Sequence, residues 1–407
     1  MTSIKNYSYQ FLLLFLAACS LAGQHKQDGI EGEPKESAPL YIQMADSELK
    51  RTPDPRLLDF RSKPKWEYTN GLVCSAFVKV YEETGDESYL DYAKYYLDSM
   101  INEDGSIKTY KQSDYNIDRV NSGKVLMEVY KLDPQPKYQK AIELLRAQMK
   151  DHPRTSEGGF WHKKRYPYQM WLDGLYMGSP FLAQYAAEFN EPALYDEVAH
   201  QIYLIDKYAY DSTKKLYYHG WDESREQKWS DPETGVSPNF WGRAMGWFAM
   251  ALVDVLDYMP QDHPKRDEVI AILDKLVVGL MDYQDESGLW WQVLDEGGRE
   301  GNYLETSCTS MFAYSILKGV QKGYLDEKNL INGMKAYEGM VDQFIKENED
   351  GTITLQNVCG VAGLGGDPYR DASYEYYVGE EIRDNDPKGV GPFIMASLIY
   401  NDLKSSQ

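Results

Sequence analysis

Cysteine is scarce in this chain of 407 residues, which has only Cys19, Cys74, Cys308 and Cys359. No two of them form a CxxC pair, and none of the six histidines stands in an HExxH spacing. Four scattered cysteines exclude a disulfide framework, and neither of these zinc-binding patterns is present. The sequence therefore predicts no metal site.

Basic residues are also few. Lys and Arg together number 43 against 64 Asp and Glu, which gives a net charge of −21. A nucleic-acid partner is excluded, because nothing supplies the broad basic face that binds phosphates. A small acidic ligand is still allowed, since a few local cations or helix N-termini can outweigh a distant net charge.

The N-terminal apolar run FLLLFLAA is too short to span a bilayer and follows a single cation, Lys5. It ends in Leu-Ala-Ala-Cys19, which resembles the lipobox of bacterial lipoproteins. In this interpretation residues 1–19 are a lipoprotein signal peptide, Cys19 is lipidated, and residues 20–38 form a flexible tether. An ordinary signal peptide with an incidental cysteine is the alternative. Both predict export, and the first predicts a lipid anchor on the periplasmic side or the cell surface as the only contact with a membrane.

Strand-like alternation is missing from the rest of the chain, where apolar residues recur at spacings of three and four. Twelve segments show this helical period, from LYIQMADSELKR near the start to GVGPFIMASLIYNDL at the end. Short connections such as TGDES and LDPQP contain the Gly, Pro and Asp that tight turns need. The sequence therefore predicts an all-α protein of twelve helices.

Six long connections alternate with the short ones, and in helical hairpins they would all emerge at one end. They span residues 52–68, 102–117, 151–172, 210–239, 284–305 and 347–386. Each leads into a helix that begins with small or polar residues, for example Asn70-Gly71 and Ser122-Gly123, which allow helix starts to converge. Six inner and six outer helices in one closed ring, an (α/α)6 barrel, is the fold predicted for a single domain over residues 39–407.

Tryptophan is concentrated in the long connections and at their ends. Eight of the nine lie there, namely Trp66, Trp161, Trp171, Trp221, Trp229, Trp241, Trp290 and Trp291, and Trp247 lies in the next two turns of a helix. Flat aromatic faces beside polar side chains bind sugar rings, so this clustering predicts a carbohydrate cleft. The alternative is that these residues only hold the long loops onto the ring.

Two aspartates stand where neighbouring inner helices are predicted to begin. Asp173 lies in WLDGLYMGSPF, between Trp171 and Met177, and Asp118 lies in DYNIDRVNSGK. Neighbouring inner helices lie side by side, so both carboxylates should face one cavity, where such a pair can carry out acid–base chemistry on sugars. Capping of a helix N-terminus is the alternative for each aspartate.

Two further side chains fit this cavity. His219 lies in YYHGWDES, within a long loop, and Arg243 begins the helix WGRAMGW. An arginine fork matches a carboxylate, so a substrate uronate could bind between Arg243 and the helix starts. A loop hydrogen bond for His219 and an ion pair for Arg243 are the alternatives.

The motifs NIDRVNSGK, WLDGLYMGSPF, HGWDES and WGRAMGW, in this order, resemble the unsaturated rhamnogalacturonyl hydrolases of glycoside hydrolase family 105. This family is related to the unsaturated glucuronyl hydrolases, and the resemblance runs over nearly all of residues 40–403. The Asn-Ile before Asp118 is more similar to the rhamnogalacturonyl branch. Residues 347–386 contain no motif that aligns.

The resemblance implies an (α/α)6 barrel that acts on short oligosaccharides with a 4,5-unsaturated uronic acid at the non-reducing end, without a cofactor. Asp173 matches the general acid/base, and Asp118 matches a second acidic residue that holds substrate and water. Substrate-binding positions of the family match His219, Arg243, Met177, Trp241 and Trp247, and we expect Trp171 to join them. Two other functions fit the same residues: hydrolysis of a saturated glycan, and glycan binding by a lipoprotein without catalysis.

Overall fold

The computed structural model describes residues 38–406. The predicted signal peptide, its Cys19 and almost all of the predicted tether lie outside these residues. Among the helices of the described part, none is long and apolar enough to cross a bilayer.

Thirteen α-helices, numbered in chain order, make up most of the described chain. They are α1 (Leu40–Arg51), α2 (Tyr68–Thr84), α3 (Glu87–Met100), α4 (Ser122–Leu132), α5 (Pro136–Lys150), α6 (Leu172–Phe189), α7 (Ala193–Ala209), α8 (Gly242–Leu256), α9 (Arg266–Met281), α10 (Thr306–Gln321), α11 (Leu330–Phe344), α12 (Tyr374–Val378) and α13 (Pro387–Ser405). Twelve of them correspond to the twelve predicted segments. The five-residue helix α12 was not predicted, because it is too short to show a period.

Six of these helices form a closed inner ring. Helix α2 packs against α4, α4 against α6, α6 against α8, α8 against α10, α10 against α13, and α13 against α2. Each inner helix also packs against one outer helix: α3, α5, α7, α9, α11 and α1, respectively. This arrangement confirms the predicted (α/α)6 barrel.

Burial separates the two rings. Helix α5, in the outer ring, buries one face, with Tyr138, Ala141, Ile142 and Leu145 at helical spacing. Helix α8, in the inner ring, is buried over almost its whole length, because it has helices on both sides and behind it. The inner helix α8 is therefore buried on nearly all sides, whereas the outer helix α5 is buried on one face.

Small residues at the helix starts allow the inner helices to approach closely. A Cβ atom on Gly71 would lie 2.6 Å from the Cα of Ser122, and one on Gly391 would lie 2.8 Å from the side chain of Leu72. Neither glycine can be replaced without moving α2 away from a neighbour. The structure thus gives a steric reason for the small residues that begin these helices.

Short strands organise the long loops, where no strand was predicted. They are β1 (Gln169–Trp171), β2 (Tyr210–Asp211), β3 (Leu216–Tyr217), β4 (Gly220–Asp222), β5 (Ile345–Glu347), β6 (Ile353–Leu355), β7 (Val358–Cys359) and β8 (Ile382–Arg383). They pair antiparallel as β1–β4, β2–β3, β5–β6 and β7–β8. Strands of two or three residues are too short to produce an alternating pattern, which is why the sequence did not reveal them.

Candidate active site

A cavity of about 760 Å³ opens where the long loops meet the starts of the inner helices. Asp118, Asp173, Trp171 and Met177 all line it. The two aspartates therefore share one cavity, as expected for neighbouring inner helices. Their catalytic roles stay predictions.

Asp173 lies in the first turn of α6 but does not cap it. The N-cap residue is Trp171, and no side chain makes the capping hydrogen bond. The Asp173 side chain is 14% exposed, and its Oδ2 lies 3.1 Å from Nε2 of His219. Among the described residues, neither of these two atoms makes a hydrogen bond of ordinary geometry, so their contact is a close approach of the two polar groups. The capping alternative therefore does not explain Asp173.

Backbone pairing places His219 beside Asp173. Strand β1 leads directly into α6 and pairs with β4, so that Trp171 lies opposite Gly220. The backbone N–H of Leu172 also donates to the carbonyl of His219 at 3.0 Å. His219 is fully buried, and its Nδ1 lies 2.8 Å from the hydroxyl of Tyr377. Tyr377, His219 and Asp173 thus form a chain of polar groups that ends in the cavity.

The pKa of Asp173 results from opposing effects. Burial alone raises the pKa, but His219, whose Nε2 lies 3.1 Å away, lowers it, and the net result lies below the ordinary value for an aspartate. The pKa of Tyr377 is raised well above its ordinary value, mainly by burial. In the protein without substrate, Asp173 is therefore ionised at neutral pH.

Asp118 lies in a 3₁₀-helix, Ile117–Val120, that precedes α4. The cap of this short helix is Asn116, whose side chain accepts the N–H of Asp118, so Asp118 is not the cap. Its carboxylate lies 2.5 Å from Nζ of Lys163 and 3.3 Å from Nε2 of His162. Asp118 therefore enters the cavity already paired with a cation, unlike Asp173.

Three stacked rings support the wall between the two aspartates. The Trp171 ring lies between His162, at 4.2 Å between centroids, and Tyr166, at 5.0 Å. Burial, followed by the charge of Lys163, holds the pKa of His162 well below its ordinary value. His162 is therefore neutral and can stack as an aromatic ring without an ionic penalty.

Cations dominate the lining of the cavity, although the chain as a whole is strongly acidic. Nine Lys and Arg side chains contribute to it: Arg61, Lys65, Arg119, Lys163, Lys164, Arg165, Arg370, Arg383 and Lys388. Five carboxylates oppose them: Asp59, Glu67, Asp114, Asp118 and Asp173. A concave surface concentrates such a field, so this cavity attracts anions.

Arg370 brings a cation close to the stacked rings. Its Nη2 donates to the hydroxyl of Tyr166 at 2.9 Å, and its guanidinium carbon lies 6.0 Å from the centroid of Trp171. Its Nε and Nη2 also donate to the carbonyls of Gly365 and Leu364. In residues 38–406, no carboxylate lies within 4.0 Å of the Arg370 guanidinium. The lining therefore includes a rigidly held guanidinium without an acidic partner.

Arg243 was predicted to contact the substrate, and the structure places it elsewhere. It is 1% exposed and does not belong to the described lining of the cavity. Its Nη1 donates to the carbonyl of Cys359 at 2.6 Å and to Oγ of Ser307 at 3.3 Å, and its Nη2 donates to the carbonyl of Gly360 at 3.1 Å. Arg243 therefore braces the segment just before Val361 and Ala362, which do line the cavity.

Trp241, Trp247 and His219 also lie behind the cavity wall and do not line it in the described structure. Trp241 donates from Nε1 to the side chain of Gln292, and Trp247 stacks on Tyr176 at 4.9 Å. Of the nine tryptophans, Trp171 is the one that belongs to the lining. Trp171 therefore represents the predicted tryptophan cleft in this lining, and the substrate-binding roles of Trp241, Trp247 and His219 stay predictions.

His162, Lys163 and Arg370 belong to the site but were not predicted. The run His162-Lys163-Lys164-Arg165 was a usable signal, because four consecutive basic or imidazole residues precede Asp173 in an acidic chain. Arg370 gave no such signal, since it stands alone in the loop over 347–386. In the described part of the chain, no three His, Cys, Asp or Glu side chains are grouped to hold a metal ion.

The ring of helices is an (α/α)6 barrel, and its cavity holds two carboxylates of the kind that acid–base chemistry on sugars uses. A family model described as Glycosyl Hydrolase Family 88 matches residues 41–404, and the chain belongs to this family. The solved structure of a family 105 glycoside hydrolase from C. acetobutylicum ATCC 824 is 46% identical, with 89% of this chain and 99% of that chain covered and a TM-score of 0.86. These findings confirm the resemblance inferred from the motifs.

More distant relatives carry names that describe substrates. The unsaturated rhamnogalacturonyl hydrolase YesR of Bacillus subtilis (strain 168) is 25% identical over 303 residues, which span 72% of this chain and 82% of that protein. The unsaturated glucuronyl hydrolase of Bacillus sp. GL1 is 13% identical, with a TM-score of 0.64 over 88% of this chain and 94% of that chain. The second likeness shows the fold alone.

Proposed function

We propose that this glycosidase removes a 4,5-unsaturated uronic acid from the non-reducing end of oligosaccharides produced by polysaccharide lyases. The expected substrate is unsaturated galacturonyl-rhamnose from rhamnogalacturonan. The observation that carries the proposal is Asp173, a largely buried carboxylate beside His219, at the wall of a cavity rich in cations. A cation-rich cavity in a chain of charge −21 suits a short anionic sugar.

In the first step, protonated Asp173 donates its proton to C4 of the C4=C5 double bond. The π electrons form the C4–H bond, and positive charge develops at C5, where the ring oxygen shares it. General acid catalysis of this kind requires a protonated carboxyl within hydrogen-bond reach of the reacting carbon.

In the second step, Asp173, now ionised, takes a proton from a water molecule that adds to C5. The resulting hemiketal opens by breaking the bond between C5 and the ring oxygen, which leaves a hemiacetal at C1. This hemiacetal then releases the neighbouring sugar as an alcohol. One carboxylate serves as acid and then as base, so the separation between two carboxylates does not determine the outcome, as it does in ordinary glycosidases.

Asp173 must become protonated before the first step, although its pKa is lowered in the free protein. A substrate uronate brings a second negative charge into the cavity and displaces water from the carboxylate. Both effects raise the pKa of Asp173, as the neighbouring Asp118 already does. Substrate binding therefore prepares the acid, and an empty site keeps it ionised.

Arg370 is the proposed anchor for the uronate carboxylate, in place of Arg243. Its guanidinium lies next to Trp171 and has no carboxylate partner within the described chain. Its hydrogen bonds to Gly365, Leu364 and Tyr166 fix its orientation and leave the two N–H groups of Nη1 to pair with a carboxylate. Asp118, held by Lys163, is positioned to accept hydrogen bonds from sugar hydroxyls or from the attacking water.

One assay tests the proposal against its two alternatives. The enzyme is incubated with lyase-treated pectin fragments, and the absorbance of the conjugated acid is followed. Loss of this absorbance with release of a keto-uronate supports the proposal. New reducing ends from untreated glycan would instead support a hydrolase of saturated chains, and binding without loss of absorbance would support a binding protein.

A further inference from the structure

Several cationic side chains lie close to Tyr166 at the cavity. The guanidinium carbon of Arg165 lies 4.8 Å from the centroid of the Tyr166 ring, and Nη2 of Arg370 lies 2.9 Å from its hydroxyl. Lys164 precedes Arg165, lines the same cavity, and places its Nζ 5.6 Å from the ring centroid of Tyr115. Lys164 and Arg165 are both exposed, whereas the adjacent Lys163 is half-buried on Asp118.

Lys164 and Arg165 lack acidic partners. Within residues 38–406, no carboxylate lies within 4.0 Å of either charged group. Asp114 lines the same cavity, but its contact is with Lys111, at 3.9 Å. In a chain with 64 acidic residues, most cations have an acid nearby, so two adjacent cations without one make the cavity locally positive.

A single uronate does not use these two cations. In the proposed function its carboxylate pairs with Arg370, which lies beside Trp171, and its reacting carbons lie at Asp173. Lys163 is already paired with Asp118. Lys164 and Arg165 are therefore left for a group that lies beyond the first sugar, on the part of the substrate that leaves.

We propose that Lys164 and Arg165 form an outer anion subsite that binds an oxyanion on the leaving saccharide. This subsite deepens the proposed function and rests on it. The oxyanion is either the carboxylate of a second uronic acid or a sulfate ester on the leaving sugar. Both give the same contact, namely a negatively charged oxygen group paired with an ammonium and a guanidinium.

The test compares unsaturated substrates that share one uronate end. The first is a disaccharide with a neutral leaving sugar, the second a tetrasaccharide with a second uronate, and the third a disaccharide whose leaving sugar carries a sulfate ester. Each is assayed with the wild-type enzyme, with Lys164→Gln/Arg165→Gln, and with the control Lys214→Gln/Lys215→Gln. The control removes two adjacent exposed charges from lysines that pair with Asp295 and Asp282.

If the subsite exists, the double substitution should lower activity on the charged substrates more than on the neutral disaccharide. In Lys164→Gln/Arg165→Gln, kcat/KM for the charged substrate, divided by kcat/KM for the neutral disaccharide, should fall about two- to thirtyfold, the range for two exposed ion pairs. The loss should appear in KM and shrink at high salt. The control should keep the wild-type ratio. If the ratio falls for the tetrasaccharide alone, the oxyanion bound by the subsite is the carboxylate of the second uronate. If it falls for the sulfated disaccharide alone, the bound oxyanion is the sulfate ester.

An unchanged ratio in Lys164→Gln/Arg165→Gln would overturn the subsite, and so would an equal loss in the control pair. Failure of the proposed function is a separate result, in which the wild-type enzyme cleaves none of the three substrates. In that case calorimetry with the Asp173→Asn variant still decides on the subsite. Tighter binding of a charged than of the neutral saccharide, abolished by the double substitution, supports it, and equal affinities overturn it.

Discussion

Arg243→Gln distinguishes between the two roles considered for Arg243. The sequence predicted a contact with substrate, whereas the structure shows a buried brace that donates to the carbonyls of Cys359 and Gly360 and to Ser307. A shorter neutral side chain cannot reach both carbonyls, so at least one is left without a partner. Hydrogen bonds from an ionised donor contribute about 1.5–3 kcal/mol each. Loss of the two hydrogen bonds to these carbonyls should therefore cost about 3–6 kcal/mol of unfolding free energy.

Urea unfolding followed by tryptophan fluorescence measures this loss, and steady-state kinetics on the unsaturated disaccharide measures KM. Arg266→Gln is a suitable control, because Arg266, at the start of the outer helix α9, also donates to two carbonyls, those of Leu256 and Met259. We expect both variants to lose stability, and Arg243→Gln to lose more because Arg243 is more deeply buried. An unchanged free energy of unfolding together with a KM raised tenfold or more would refute the brace and restore the substrate contact.

Three further outcomes are expected. Asp173→Asn should lower kcat about 10²–10⁴-fold with unchanged circular dichroism, while Asp267→Asn, in the first turn of an outer helix, should stay near wild type. His219→Gln removes a group that lowers the pKa of Asp173, so the limb where activity falls with rising pH should move to higher pH; no movement contradicts the pairing. Cys19→Ala should abolish labelling by radioactive palmitate in a bacterial host, and persistent labelling would exclude the lipobox.

The fold was predictable because the sequence patterns that indicate it recur along the chain. Twelve segments carry the same helical period, and six long loops alternate with short ones, so an error in any one segment leaves the ring intact. The two aspartates were predictable for a related reason, since each stands where a long loop enters the inner ring. Helix order alone predicts that Asp118 and Asp173 face the same cavity, and both line it.

Burial of large side chains was much less predictable. Arg243 and Trp241 stand at a helix start, as Asp173 does, and nothing in the sequence shows that they turn away from the cavity. Their direction is fixed by residues distant in the chain, such as Cys359, whose carbonyl accepts from Arg243. Arg370, in contrast, was not predicted to lie at the site, but it does. It stands in a loop without any motif, and this loop folds back to Tyr166, 204 residues earlier in the chain, so that Arg370 reaches the cavity.

Closure of the ring by α13 makes the cavity depend on the last helix of the chain. Lys388, at the start of α13, lines the cavity and contacts Asp59, 329 residues earlier. Contacts of this separation form late, because a long loop must close first. A chain that stops before residue 387 therefore lacks one wall of the cavity, and synthesis must be almost complete before a saccharide can be held.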